Sequence, residues 1–143
     1  MESNSNYKCI SHRLVAKIVS ALLPKYPVIK SDERKKIEED VIDFVYGQIE
    51  ALPVYLQIAY KIILYKFNFY SLFLYGNIFS NLSESKKINY LKLWSESPIR
   101  QMRDFIKLIK SCTFLQYYDH PVILETMIVQ NEKNEKQLQA RKN

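Results

Sequence analysis

An all-α fold, a compact bundle of five to seven helices, is the class this sequence predicts. Three observations carry the prediction. Apolar residues recur at helical spacing, and no stretch of useful length alternates with the period of a strand. The chain has two glycines in 143 residues, too few for most hairpin-rich β folds or for a glycine-rich dinucleotide loop. Its five prolines stand where apolar-periodic stretches begin or end. The length suits one domain. Hydrophobic residues at 48% and charged residues at 25% match a soluble globular protein. A chain of this size buries roughly two thirds of its unfolded surface and needs no disulfide or metal staple. Eleven Tyr, seven Phe and one Trp exclude a disordered chain.

The elements follow in order. Residues 1–10 are polar and read as a flexible N-terminus. Ser11 is placed to cap a helix reaching Leu23, with Leu14, Ile18 and Leu22 on one face. Pro24 and Pro27 end it. Ser31 is placed to cap a second helix, with Asp32 and Glu33 where negative charge suits the helix dipole. Ile37, Val41, Phe44 and Val45 form its apolar stripe, while Glu38, Glu39, Asp40 and Asp43 take the other side. Pro53 opens a third helix that is apolar on nearly every face, which predicts a central, buried element. A break is expected near Asn68 or Gly76, making the stretch a buried helical hairpin.

Ser83 is placed to cap a short helix carrying Ile88, Leu91 and Trp94. Ser97-Pro98 marks the start of a long helix to about Tyr117, with Ile99, Met102, Ile106, Ile109 and Thr113 on one face. His120-Pro121 starts a last short helix. The domain is read as residues 11–130. Residues 131–143 form a charged tail, either a solvated helix extension or disordered.

The net charge of +6 alternates along the chain, from +4 in residues 1–30 to −4 in residues 31–52. Such alternation argues against one dominant nucleic-acid-binding stripe. Pro53 to Ser80 is the most apolar stretch, but Lys61, Lys66 and Asn68 interrupt it, so a membrane span is not expected. Cys9 and Cys112 read as free thiols, one exposed and one buried. With only His12 and His120 to help, they show no zinc-ligand spacing. Asp119-His120 are sequence neighbours without triad geometry, and no phosphate-binding loop, metalloprotease or nucleophile-elbow motif is present. No catalytic, cofactor-binding or metal-binding residue is assigned, and the chain is not expected to be an enzyme.

Two features point instead to a partner. Arg100, Arg103, Lys107 and Lys110 recur at spacings of three, four and three, which aligns four positive groups on one helical face. They suit an acidic protein surface, phosphate or anionic lipid, or simply a solvated face. The aromatic run from Tyr55 to Phe79 suits core packing with hydroxyls at the rim, or a docking surface. Trp94, Tyr117 and Tyr118 flank the long helix and carry the same two readings.

These residues also resemble a known family. The matching features are an ALLP early helix, a second helix ending in Leu52-Pro53, a turn with Gly76, Phe79, Leu82 and Ser83, a helix with Tyr90, Leu91, Trp94 and Ser97, a basic long helix, and a close at Tyr117, Tyr118 and Pro121. The chain resembles, over residues 14–124, the helical small (gamma) subunits of membrane-associated gluconate and glucose dehydrogenases. It is also similar to the helical N-terminal extension of long-chain alcohol oxidases. Both partner a catalytic domain of the glucose-methanol-choline oxidoreductase family.

The resemblance implies a non-catalytic subunit that packs on a flavin-dependent alcohol or sugar dehydrogenase and matures or stabilises it. FAD is then expected in the partner only. The motif positions carried over are Phe79, Leu82, Ser83, Leu91, Trp94, Ser97, Arg100, Tyr117 and Tyr118. With caps and core set aside, the interface candidates are Trp94, Arg100, Arg103, Lys107, Tyr117 and Tyr118. The fused relatives continue into a flavin domain where this chain has MIVQNEKNEKQLQARKN, which implies a stand-alone subunit. The secreted relatives carry a twin-arginine leader that MESNSNYKCISHR lacks, so a cytoplasmic protein is expected, membrane-associated only through its partner. An independent helical adaptor, binding a protein helix or nucleic acid, is the alternative.

Overall fold

The computed structural model describes residues 3–141, with side chains from Ile10 to Arg141. Six α-helices and a single 3₁₀ turn make the fold, and no strand occurs among the described residues. The helices are α1 (Ser3–Leu22), α2 (Ser31–Glu50), α3 (Val54–Tyr75), α4 (Glu84–Ser95), α5 (Arg100–Asp119) and α6 (Pro121–Ala140). The 3₁₀ turn, Phe79–Asn81, lies between α3 and α4.

Proline and glycine set most of the boundaries. Pro53 is the N-cap of α3, and Pro121 is the first residue of α6 after an extended His120. Gly76 ends α3 with φ 68° and returns its N–H to the carbonyl of Leu72. Glycine holds that left-handed conformation without Cβ strain.

Serine was a poorer guide. Ser11 lies inside α1, buried, because the helix starts at Ser3 rather than after residue 10. Ser31 is the first helical residue of α2, and Lys30 holds the cap position. Ser83 occupies the N-cap of α4 by backbone geometry, but its hydroxyl lies 3.4 Å from that of Ser85 and makes no capping bond. Ser97 works from three residues before α5, where its hydroxyl accepts the N–H of Ile99 at 3.1 Å.

The two ends also differ from the reading of the sequence. Residues 1 and 2 of the expected flexible N-terminus lie outside the described residues, as does the side chain of Cys9. The final helix is long, not short. It runs through the charged tail to Ala140, with residues 131–140 all exposed. Glu132 and Lys136 stand at i,i+4 within it, in a run of good helix formers.

The largest difference concerns α3. It is one continuous helix of 22 residues, not a hairpin, and it is not central. The centre is α5, which packs against α1, α2, α3, α4 and α6. Only Leu64, Phe67 and Ser71 of α3 are fully buried. An all-round apolar surface states no preferred side, and one layer of neighbours covers only one face.

The core joins Val15, Ile18 and Val19 of α1 and Ile37, Val41 and Val45 of α2 to Phe105, Ile106, Ile109 and Tyr117 of α5. At its other end lies an aromatic knot. Phe67 sits with its ring 4.7 Å from Phe79, 4.8 Å from Tyr90, 4.8 Å from Trp94 and 5.8 Å from Phe105. Edge-on and tilted ring pairs of this kind add to the stabilisation from burial. The Tyr90 hydroxyl donates to the Phe67 carbonyl at 2.6 Å, fastening α4 to α3.

Candidate partner-docking surface

The structure sorts the six interface residues expected from the sequence into three groups. Trp94, at 3% exposed, and Tyr117, at 1%, are core residues. Trp94 packs on Phe67, Tyr90 and Phe105. Tyr117 donates its hydroxyl to the Tyr26 carbonyl at 3.3 Å, tying α5 to the loop before α2. Their expected role as surface anchors is corrected: helical spacing turns both rings inward. Arg103 is half-buried and already engaged. Its Nη1 donates to the carbonyls of Ser97 at 2.8 Å and Pro98 at 3.1 Å, holding the α4–α5 turn.

Arg100, Lys107 and Tyr118 remain exposed. Arg100 lies 3.3 Å from Asp104 one turn along, an exposed pair of small energetic value. Lys110, the last of the basic row, stands over the Phe114 ring at 5.5 Å. Phe114 lies 6.2 Å from the Tyr118 ring.

The acidic face of α2 holds what sequence reading missed. Asp43 meets His12 of α1 at 3.3 Å, and Asp40 meets His120 at the α5–α6 junction at 3.3 Å. These residues are 31 and 80 positions apart, so no local signal could pair them. Glu38 takes a hydrogen bond from Ser20. The expected charge-laced face is therefore stitched to its neighbours at three points. Among the described residues neither imidazole bonds a hydroxyl or thiol, and no group of three His, Cys, Asp or Glu side chains could hold a metal ion. Burial raises the pKa of the Cys112 thiol, which disfavours a reactive thiolate.

What the surface does offer lies on α3. Tyr55, Ile58, Ile62, Phe69, Tyr70, Leu72 and Phe73 are exposed, Phe73 at 87%. The C-terminal half of α3 forms one wall of an apolar groove of about 1210 Å³. Its other wall is Leu93 of α4 with Pro98 and Ile99 of the following turn, and Lys66 and Lys92 stand at its rim. The aromatic run named a docking candidate by its composition. Its exposed members could not be chosen from sequence, because every face of α3 is apolar.

A model of the family described as gluconate 2-dehydrogenase subunit 3 matches residues 11–135. The chain belongs to that family. Neither a curated protein nor a solved structure gives a significant match. The match extends beyond the resembling stretch at both ends, taking in most of α1 and three quarters of α6. Subunit 3 of a gluconate 2-dehydrogenase is one part of a dehydrogenase complex, in keeping with an accessory chain that has a protein partner. The positions that carry the resemblance are mostly interior. Phe79, Leu82, Leu91, Trp94, Ser97 and Tyr117 are all buried. No helix among the described residues is long and apolar enough to cross a membrane.

Proposed function

We propose that this chain is a non-catalytic small subunit that binds a flavin-dependent alcohol or sugar dehydrogenase and stabilises or matures its large subunit. The family match over residues 11–135 is the observation that carries this reading. The surface supports it. The chain leaves an aromatic helix face open, and an exposed apolar patch of that kind suits a protein contact. The flavin and the oxidation then belong to the large subunit. This chain contributes buried area and, through Arg100, Lys107 and Tyr118, a cationic and aromatic patch of the kind that anchors interfaces.

The test is co-expression of this chain with a flavoprotein large subunit from the same genome. The expected result is a stable complex and a higher yield of soluble, flavin-loaded large subunit. A large subunit that folds, loads flavin and turns over equally well alone, and forms no complex, would sink the proposal.

A further inference from the structure

The open face of α3 has a spacing of its own. Tyr55, Ile58, Ile62, Tyr65, Phe69 and Leu72 follow one another at intervals of three, four, three, four and three. This is the a/d pattern of a helix built to pack along another helix. The seam spans about 26 Å at 1.5 Å per residue. Tyr65 packs against the core with its hydroxyl buried, while the other five are at least 44% exposed. At roughly 200 Å² per ring, Tyr55 and Phe69 of the seam with Tyr70 and Phe73 beside it leave on the order of 500 Å² uncovered. Ile58, Ile62 and Leu72 bring the face towards the roughly 800 Å² that each side of a standard interface buries.

Charge says which helix fits. Lys61 and Lys66 are the only charged residues of α3. In this register they fall at the g and e positions, where flanking charges select a partner. Across the groove Lys92 lies 3.9 Å from Glu96, so the positive flank of the seam is Lys61 and Lys66. A second copy of this chain fits poorly. A parallel pair of α3 helices would set Lys61 against Lys66, and an antiparallel pair would meet lysine or an uncharged side chain at every flank.

We infer that the α3 seam is the docking site for an amphipathic helix of the dehydrogenase large subunit, with Asp or Glu flanking that helix's apolar stripe. The inference rests on the accessory-subunit reading and adds the surface and the chemistry of what it receives. A helix laid on the seam would set its acidic flanks against Lys61 and Lys66 and seat bulky apolar side chains among Ile58, Ile62, Phe69 and Leu72.

Two measurements decide it. The first titrates the full chain with two synthetic helical peptides, each with Leu at a and d, one with Glu and one with Lys at e and g. The Glu-flanked peptide should bind about tenfold more tightly, and Lys66→Glu should reverse that preference. Ile62→Glu with Phe69→Glu should weaken binding by about 30-fold or more, while the circular dichroism spectrum and unfolding midpoint stay as in the wild type. Equal binding of both peptides overturns the charge assignment. Self-association in ultracentrifugation, or adsorption to phosphatidylglycerol vesicles, that the double variant abolishes overturns the large-subunit helix as occupant.

The second repeats the co-expression with the double variant. Loss of the flavoprotein from the complex is the expected result. A complex that forms equally well with wild type and double variant overturns the docking face and leaves the accessory-subunit reading standing. A wild-type chain that forms no complex overturns both.

Discussion

Helices α3 and α5 invert the usual relation between apolar content and burial. α3 has two charged residues in 22 and lies at the edge, with three residues fully buried. α5 has six charged residues in 20, yet touches every other helix and buries Phe105, Ile106, Ile109, Thr113 and Tyr117 completely. A helix reaches the centre of a small bundle because its apolar residues share one face and its charges share the other. Total hydrophobicity does not put it there. α3 buries Leu64, Phe67 and Ser71 on one side, and its remaining apolar side stays exposed.

The sharpest way to break this comparison is to truncate one phenylalanine on each side of α3. Phe67→Ala should destabilise the fold by about 3–5 kcal/mol, read from chemical denaturation, because it empties the centre of the ring cluster. Phe73→Ala should leave stability within about 0.5 kcal/mol and reduce association with the large subunit. Equal losses of stability from both would mean that α3 has no free face.

The basic row of α5 gives the next contrast. Arg103→Ala removes the donor to two carbonyls of the α4–α5 turn and should destabilise by about 1–2 kcal/mol. Arg100→Ala should change stability by less than about 0.5 kcal/mol, since its pair with Asp104 is exposed. Thermal melts of the two variants side by side would separate the turn-holding arginine from the solvated one.

A smaller effect is expected from Tyr90, whose side chain bonds the backbone of α3. Tyr90→Phe should cost about 1 kcal/mol through the lost hydrogen bond to Phe67. The smallest effect near neutral pH, growing only in alkali, comes from the tyrosines as a group. Burial raises the pKa of Tyr90 most strongly, and also those of Tyr46, Tyr60 and Tyr117. For each, the folded state favours the neutral phenol. That stability is fully present below the unfolded value of about 10 and is lost as pH rises above it. Unfolding free energy measured against pH should therefore fall above about pH 10. Tyr90→Phe should make the fall shallower. A flat profile to pH 12 would mean that these hydroxyls are not shielded from water.

Local chemistry was legible wherever one residue decides. Pro53 and Pro121 marked helix starts, Gly76 a helix end, and the 3.6-residue period of α2 and α5 their inner faces. Serine was less informative, because Ser11 and Ser31 suit a helix interior or first turn as well as a cap. The aspartate–histidine stitches were not legible at all, since they join residues far apart in sequence. Of the interface candidates, Arg100, Lys107 and Tyr118 stayed on the surface. Trp94 and Tyr117 went inside, because a large aromatic ring reads the same whether it fills a core or an interface.

The sequence by itself determined the all-helical class, the order of the helices and the family, because periodicity, prolines and interior motif positions are local properties of the chain. Only the tertiary structure decided that α5 is central and α3 peripheral, and which aromatic residues face outward. That choice depends on how six helices share one core. A helix apolar on all sides has no preference of its own, so its orientation is set by the neighbours that complete Phe67's cluster.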